Sequence, residues 1–408
     1  MTMALRDMTA PMQTSDVALD GPSRAISEET ARLCAERFGR ALKAVVLTGS
    51  LARDEATVIP DAGGVRLLSD AEFLLVFDPL AALPSPAAVE ALRRQVEAAL
   101  AARYLRPCLT LSAAHPRYLQ RLQPHIFAYE LRTCGRVIWG DPGILSLIPA
   151  FSESQIPLED AWRLLANRLV ELLAEVTGPI EAGYRLVKLY LDMATSFLLF
   201  VGEYAPTYRA RAARLRALAD RTRPGPEWPF LLDAFATRVA HCTQLKLQGT
   251  AAWDTNVLAQ EAVADARLLW RWELSRLTGA SPDLPDHQLL DSWMRMQPFR
   301  QRARGWLYLL RQHGWRRGWS WYVRSMRRGW RASPRYWIYA ASSDLLFAKH
   351  RPDGSPVLHA PGTAISTGWR RVVPVATNAG DPESPHAADG LAGAILSNYR
   401  QFLVDTRA

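Results

Sequence analysis

Asp70 and Glu72 stand two residues apart at the head of the apolar run Phe73-Leu-Leu-Val-Phe77. Side chains two apart in an extended strand point to the same face, so the two carboxylates share one side of a sheet. Two like charges beside an apolar run call for a cationic partner. Mg²⁺, or Mn²⁺ in its place, serves that need by using carboxylates and substrate phosphates together. A pair of such metals can hold both the attacking and the leaving oxygen in phosphoryl or nucleotidyl transfer. Upstream, Ala44-Val-Val-Leu47 reads as a buried strand that ends in Thr48-Gly49-Ser50. Gly49 lets the backbone approach a phosphate closely. The amides behind it, with the Ser50 hydroxyl, can cradle a triphosphate where a helix starts. Arg53, one turn further on, is either a ligand for a β- or γ-phosphate or a solvated arginine. A strand–Gly–Ser–helix connection is common by itself, and the acid pair downstream is what gives it weight.

An apolar strand, Gly49-Ser50, an intervening loop and then Asp70-Ala-Glu72 opening a second apolar strand resembles the signature of the DNA polymerase beta-like nucleotidyltransferase superfamily. Cys134-Gly-Arg-Val-Ile-Trp-Gly140 is similar to the segment that closes the domain in small bacterial members, which carry a helical C-terminal domain. The resemblance implies that Ser50 contacts the nucleotide phosphates and that Asp70 and Glu72 bind catalytic Mg²⁺. The nucleoside triphosphate would be the donor, and an acceptor hydroxyl would take the nucleoside monophosphate. The acceptor class stays open among small molecules, proteins and RNA ends. Tyr184-Arg-Leu-Val-Lys188-Leu-Tyr190 resembles the helical-domain segment whose lysine reaches the triphosphate, which assigns that role to Lys188, against an exposed lysine on an amphipathic helix. The sequence departs from the family in two places. Nineteen residues separate Ser50 from Asp70, enough to cover a site. The family also supplies a third acid from a later strand, and Cys108-Leu-Thr110-Leu-Ser112 has none. Glu130 is the candidate general base that compensates, against the plainer reading of a surface glutamate.

The elements that must position these residues follow from periodicity. A helix pattern runs from Ser27 to Ala41, and Ala87 to Ala102 is a second, with Pro86 suited to its first turn. Cys108–Ser112 and Arg136–Trp139 complete a set of strands, and Gly140-Asp-Pro-Gly143 closes the unit. From Pro157 the pattern is almost wholly helical, with Asp254 as an N-cap and Gly279 as the stop of one long helix. The expected fold is α+β: a two-layer nucleotidyltransferase domain with a mixed sheet, then an all-helical domain and a basic, Trp-rich extension. The expected boundaries are a leader over residues 1–24, the catalytic domain over 25–150, the helical domain over 151–285, the extension over 286–345 and a tail over 346–408.

Composition bounds the rest. A chain of 408 residues, 49% hydrophobic and 22% charged, suits two or three globular domains. The four cysteines form no CxxC pair, which argues against a zinc site or disulfide framework and suits reduced thiols in a cytoplasm. The first residues do not pattern as a signal peptide, and no run approaches a membrane span; Met193–Val201 reads as one buried helix face. The expected location is the cytoplasm, or the surface of a membrane.

The net charge of +9 has one source: residues 300–335 hold eleven arginines, no lysine and no acid. On a helical wheel Trp315, Trp319, Tyr322, Val323, Met326 and Trp330 fall on one face, with most of the arginines opposite. An anionic membrane surface, nucleic-acid phosphates and a core contact with the helical domain all fit such a segment. A protein that has lost catalysis and acts as a nucleotide-binding or adaptor module through this segment is the competing function. With the tryptophans as core, replacing Trp315, Trp319 and Trp330 together by serine lowers the melting temperature sharply, since each buried aromatic contributes up to ~3 kcal/mol. An unchanged melting temperature with loss of sedimentation on anionic vesicles would assign the stripe to lipid instead.

Overall fold

The computed structural model describes residues 14–61, 63–176, 178–223, 225, 227–249, 255–317, 323, 330, 332–350 and 387–406. The chain divides into two compact units. The first comprises residues Met1–Ile156 together with Pro206–Ala210 and Thr243–Ala251, and the remainder forms the second. The sequence reading placed the two inserted pieces in the helical domain.

Five strands make the sheet of the first unit: β1 (Leu42–Thr48), β2 (Val58–Asp61), β3 (Gly64–Phe77), β4 (Leu105–Ala114) and β5 (Arg136–Gly140). β3 is fourteen residues long and organises the rest. Its first residues pair antiparallel with β2, and its last pair antiparallel with β1 along the same edge. β4 runs parallel along the other edge, and β5 is antiparallel to β1. The sheet is therefore mixed, as the pattern predicts. The nineteen residues between Ser50 and Asp70 are not a loose cover. From Val58 onward they form β2 and the first part of β3, paired antiparallel with Asp61 opposite Gly64, and so they lengthen the sheet.

Alternation along β1 and β3 sorts the side chains onto two apolar faces. Val45, Leu47, Phe73, Leu75 and Phe77 pack with Ile26, Leu33 and Cys34 of α1 (Thr14–Phe38) and with Leu92, Val96 and Leu100 of α3 (Pro86–Ala101). Ala44, Val46, Leu74 and Val76 pack with Leu119 of α4 (Pro116–Gln120) and with Ala128 and Leu131 of α5 (Ile126–Cys134). Helices thus cover both faces, and the expectation of two layers is corrected to a sheet between helices. The strands' continuous apolar runs require this, because neither face is left polar enough for water. Pro86 does open α3, whose N-cap Ser85 accepts a hydrogen bond from the Ala88 amide.

The second unit is helical. α6 (Leu158–Glu171), α7 (Pro179–Phe200) and α10 (Thr255–Thr278) pack together, and α8 (Tyr208–Arg221) and α9 (Leu232–Gln248) belong to this unit from Arg211 on and up to Cys242. Every residue from Leu189 to Phe200 is buried, so α7 is a core helix on all sides. Among the described residues no helix is long and apolar enough to cross a membrane. α10 ends where expected, at Gly279 with φ +68°, while Asp254 lies outside the described residues.

Of residues 286–345, expected as an extension, several of the described ones supply core. α11 (Asp286–Met296) and α13 (Pro334–Lys349) bring Trp293, Tyr336 and Tyr339 against Trp162 of α6, with ring centroids 5.5, 5.9 and 5.7 Å away. In α12 (Phe299–Arg317) the buried Trp306 donates its indole N–H to the Ala332 carbonyl at 2.9 Å, and Phe299 meets Trp330 edge to face at 5.3 Å. The side chains of Trp315, Trp319, Tyr322 and Met326, and those of Arg316, Arg317, Arg324, Arg327, Arg328 and Arg331, lie outside the described residues. The four cysteines are free, and burial pushes the thiols of Cys34 and Cys242 up to about 12.

Glu273 on α10 is fully buried, and burial pushes its carboxyl up to about 8 although the Ser196 hydroxyl donates to it at 2.5 Å. Folded protein therefore holds a proton that the unfolded chain gives up near the ordinary value of 4.5. Its contribution to stability is complete below that value and is lost as pH rises towards 8. Glu273→Gln should raise the melting temperature relative to the parent at pH 8.5 and change it little at pH 4.5. The same difference at both pH values would show that Glu273 is ionised in the folded protein.

Candidate functional site

β1 delivers the chain to Gly49 in the left-handed region, with φ +71°. A side chain here would be strained, and its Cβ would lie 3.0 Å from the Glu72 Oε2. The reason is register: Thr48, the last residue of β1, pairs with Glu72 of β3. Glu72 is thereby set over the turn that the sequence marks as a phosphate cradle. Asp70, two residues earlier, is exposed on the same face, the face that continues as Leu74 and Val76 beneath α5.

Across the other edge of β3, Asp70 pairs with Cys108 and Glu72 with Thr110. Cys108 is exposed, and its thiol is raised first by partial burial and then by the Asp70 carboxylate to which it hydrogen bonds. Where the resemblance leads one to look for a third acid, the neighbouring strand offers a thiol and a hydroxyl. Among the described residues no three histidine, cysteine or acidic side chains cluster as a metal site.

Behind Gly49 the chain makes a single helical turn, α2 (Gly49–Ala52), with Arg53 as its C-cap. The longer helix assumed for a phosphate cradle is absent, and Arg53 lies at its end rather than one turn inside it. The carbonyl of Ser50 accepts the amides of Arg53 and Glu55 at 3.2 and 2.9 Å, and Ser50 itself is half-buried. The Arg53 guanidinium reaches Glu130 Oε2 at 2.6 Å and Glu55 Oε2 at 3.4 Å, and it lies 5.2 Å from the Tyr208 ring centroid. Arg53 and Glu130, expected separately as phosphate ligand and base, are therefore brought together as an ion pair.

Two residues that sequence reasoning passed over complete the surroundings. Glu55 is 1% exposed and accepts the backbone amides of Tyr208 and Arg209 at 2.9 Å each, capping the head of α8. Lys246, also 1% exposed, donates to Ser69 Oγ at 2.7 Å and to Thr57 Oγ1 at 3.1 Å. Ser69 Oγ in turn accepts the Thr57 amide at 2.8 Å, and the Thr57 hydroxyl donates to the Lys246 carbonyl at 2.8 Å. The foot of α9 is thus tied to the residue immediately before Asp70. The signals were slight: a lysine between Leu245 and Leu247, and Gly249, where a Cβ would strike the Val58 carbonyl.

β3 bulges at this junction. Between Arg66 and Asp70 it has three residues where β4 has one between Arg106 and Cys108. A bulge re-aims the side chains that follow it. Here the residue after the bulge is Asp70, and its last residue, Ser69, is the one Lys246 holds. Lys188 is in the second unit, half-buried on α7, with its ammonium 5.7 Å from the Tyr184 ring centroid.

No family model and no curated protein matches the chain. Among solved structures it is similar to a spectinomycin adenyltransferase from Enterococcus faecialis, determined with ATP and spectinomycin. The identity is 12% and the TM-score 0.38, over 60% of this chain and 98% of that one. A likeness that slight carries no argument about this chain, and the reading of the site rests on its own geometry.

Gly49→Ala should therefore cost about 1–2 kcal/mol in backbone strain and also displace the Glu72 carboxylate. Gly279→Ala is the control, with φ +68° and open space around its Cβ. Urea titration should show similar destabilisation in both. Metal-dependent triphosphate binding, followed by calorimetry, should weaken only in Gly49→Ala. Equal binding by the two variants would separate Glu72 from the Gly49 turn functionally.

Proposed function

We propose that the first unit is a nucleotidyltransferase. In this reading an acceptor hydroxyl attacks the α-phosphate of a nucleoside triphosphate, the bond to the β-phosphate oxygen breaks, and pyrophosphate leaves. The observation that carries the proposal is the placement of Glu72 over the left-handed Gly49 turn, with Asp70 beside it on the same face.

The donor set fits Mg²⁺. Asp70 and Glu72 offer hard carboxylate oxygens, and Thr48 and Thr110 are the register neighbours of Glu72 on either side. Mg²⁺ keeps several waters and takes substrate phosphates as ligands, so two protein carboxylates suffice to hold it. When bound, the metal would supply charge neutralisation at the transferring phosphoryl group. Gly49 lets the triphosphate lie close to the backbone, and the Ser50 hydroxyl donates to a phosphate oxygen. Lys246 holds Ser69, and through it the orientation of Asp70. The resemblance would give Lys188 the role of reaching the triphosphate, whereas Lys246 would act through Ser69, the residue before Asp70. Glu130 takes the acceptor proton only by exchanging its Arg53 contact for the acceptor hydroxyl; otherwise it fixes Arg53 and the turn behind Gly49.

Thr110, where the resemblance calls for a carboxylate, favours one other reading: a domain that binds the metal–triphosphate complex without turning it over. Both readings require the acid pair. Calorimetry should show triphosphate binding that depends on Mg²⁺ or Mn²⁺, and Asp70→Asn with Glu72→Gln should weaken it by about 10²-fold. Undiminished metal-dependent binding in the double variant would overturn both. Pyrophosphate release with hydroxyl acceptors then decides between them.

A further inference from the structure

The second unit contains a cavity of about 630 Å³ that the proposed transfer does not use. It lies among the chain following α6, the first half of α7, the foot of α13 and one side of α14 (Ala387–Thr406). That volume is in the range of small-molecule sites. Its walls are of two kinds. Leu172, Leu173, Leu346 and Leu396 give an apolar surface, while Arg185, Lys349 and Arg400 bring three cations against one carboxylate, Glu175.

The cations differ in exposure. Arg185 is a brace, donating to the carbonyls of Ala174 at 2.6 Å and Glu175 at 3.0 Å and pairing with Glu181 at 2.5 Å. Lys349 and Arg400 are exposed at the rim, in the last turn of α13 and on α14. Leu346, one turn before Lys349, is 2% exposed. A charged lip beside apolar side chains is suited to a molecule with an anionic end and an apolar body.

We infer that this cavity binds an amphipathic anion, with a phosphate or carboxylate head at Lys349 and Arg400 and an apolar body against the leucines. The site is independent of the nucleotidyl-transfer reading, and its test involves no turnover.

Octyl phosphate is the probe, titrated calorimetrically into the full chain beside octyltrimethylammonium and inorganic phosphate. Octyl phosphate should bind at least ~10-fold more tightly than either control, because only it satisfies both walls. Lys349→Glu with Arg400→Glu should weaken it at least ~10-fold through charge reversal at the lip. Gly393→Leu is the second arm. Gly393 lines the cavity in mid-helix, and no atom lies within 4 Å of its would-be Cβ, so leucine has room to fill the space. Since glycine is a poor helix former, this variant should keep or raise the melting temperature while losing the ligand. Octyl phosphate binding that survives both variants, or equal affinity for the quaternary ammonium, would overturn the assignment. Sedimentation with phosphatidic acid vesicles, if lost in Gly393→Leu, supports the site with a lipid as its source. Binding of octyl phosphate without such sedimentation supports it with a soluble amphiphile.

Discussion

A strand of fourteen residues cannot be satisfied by one short neighbour on each side, and β3 solves this by using β2 and then β1 in succession along one edge while β4 runs the length of the other. Nearly every backbone group of a buried strand must find a partner, so each hand-over between neighbours is a place where geometry is constrained. The hand-over from β2 to β1 falls between Leu67 and Glu72. The bulge against β4 falls in the same stretch. Asp70 and Glu72 therefore stand where the sheet is least regular and where the Gly49 turn opens beside it. The acid pair is positioned by pairing, with apolar packing on both faces holding the strand in register.

The polar groups around this junction are buried, and their cost is met by one another. Arg53 lies between Glu55 and Glu130, Glu55 caps the head of α8, and Lys246 is held by two hydroxyls. Removing one partner from such a set leaves a charge without compensation, which is far more damaging than losing an exposed pair. The consequence is rigidity where the candidate chemistry needs it. The turn behind Gly49 is held by Arg53 to α5, and the residue before Asp70 is held by Lys246 to the foot of α9.

What could be read from the sequence were properties that repeat over a few residues. β1, the last third of β3, the glycine turn after Thr48 and the shared face of Asp70 and Glu72 follow from a period of two and a single turn residue. The helical second unit followed from a period near four. Contacts between distant segments gave no such signal. Arg53 meets Glu130 across 77 positions, and Thr57 meets Lys246 across 189. The local sequence shows Arg53 as a cation near a phosphate turn, and only the fold reveals that two carboxylates claim it. The hairpin at Val58–Gly64 was hidden for another reason: Pro60 and two neighbouring glycines read as a loop, although an edge strand tolerates them. The tryptophans of 286–345 were ambiguous by nature, since an aromatic stripe suits lipid and core alike. Trp293 and Trp306 turned out to serve the core.

The absence of a carboxylate on β4 bears on how such a site would be charged. With Thr110 beside Glu72, the acid pair, both members on β3, brings at most two negative charges. A divalent cation placed there would be balanced by the protein alone, and each further anionic ligand would come from the triphosphate. Metal and nucleotide would then bind as one unit, each supplying what the other lacks, because Mg²⁺ sheds water reluctantly and gains most from phosphate oxygens. A third carboxylate would shift that balance towards a metal held without substrate. The hydroxyl at position 110 would make occupancy conditional on the triphosphate, and this coupling would follow whether the bound nucleotide is turned over or only held.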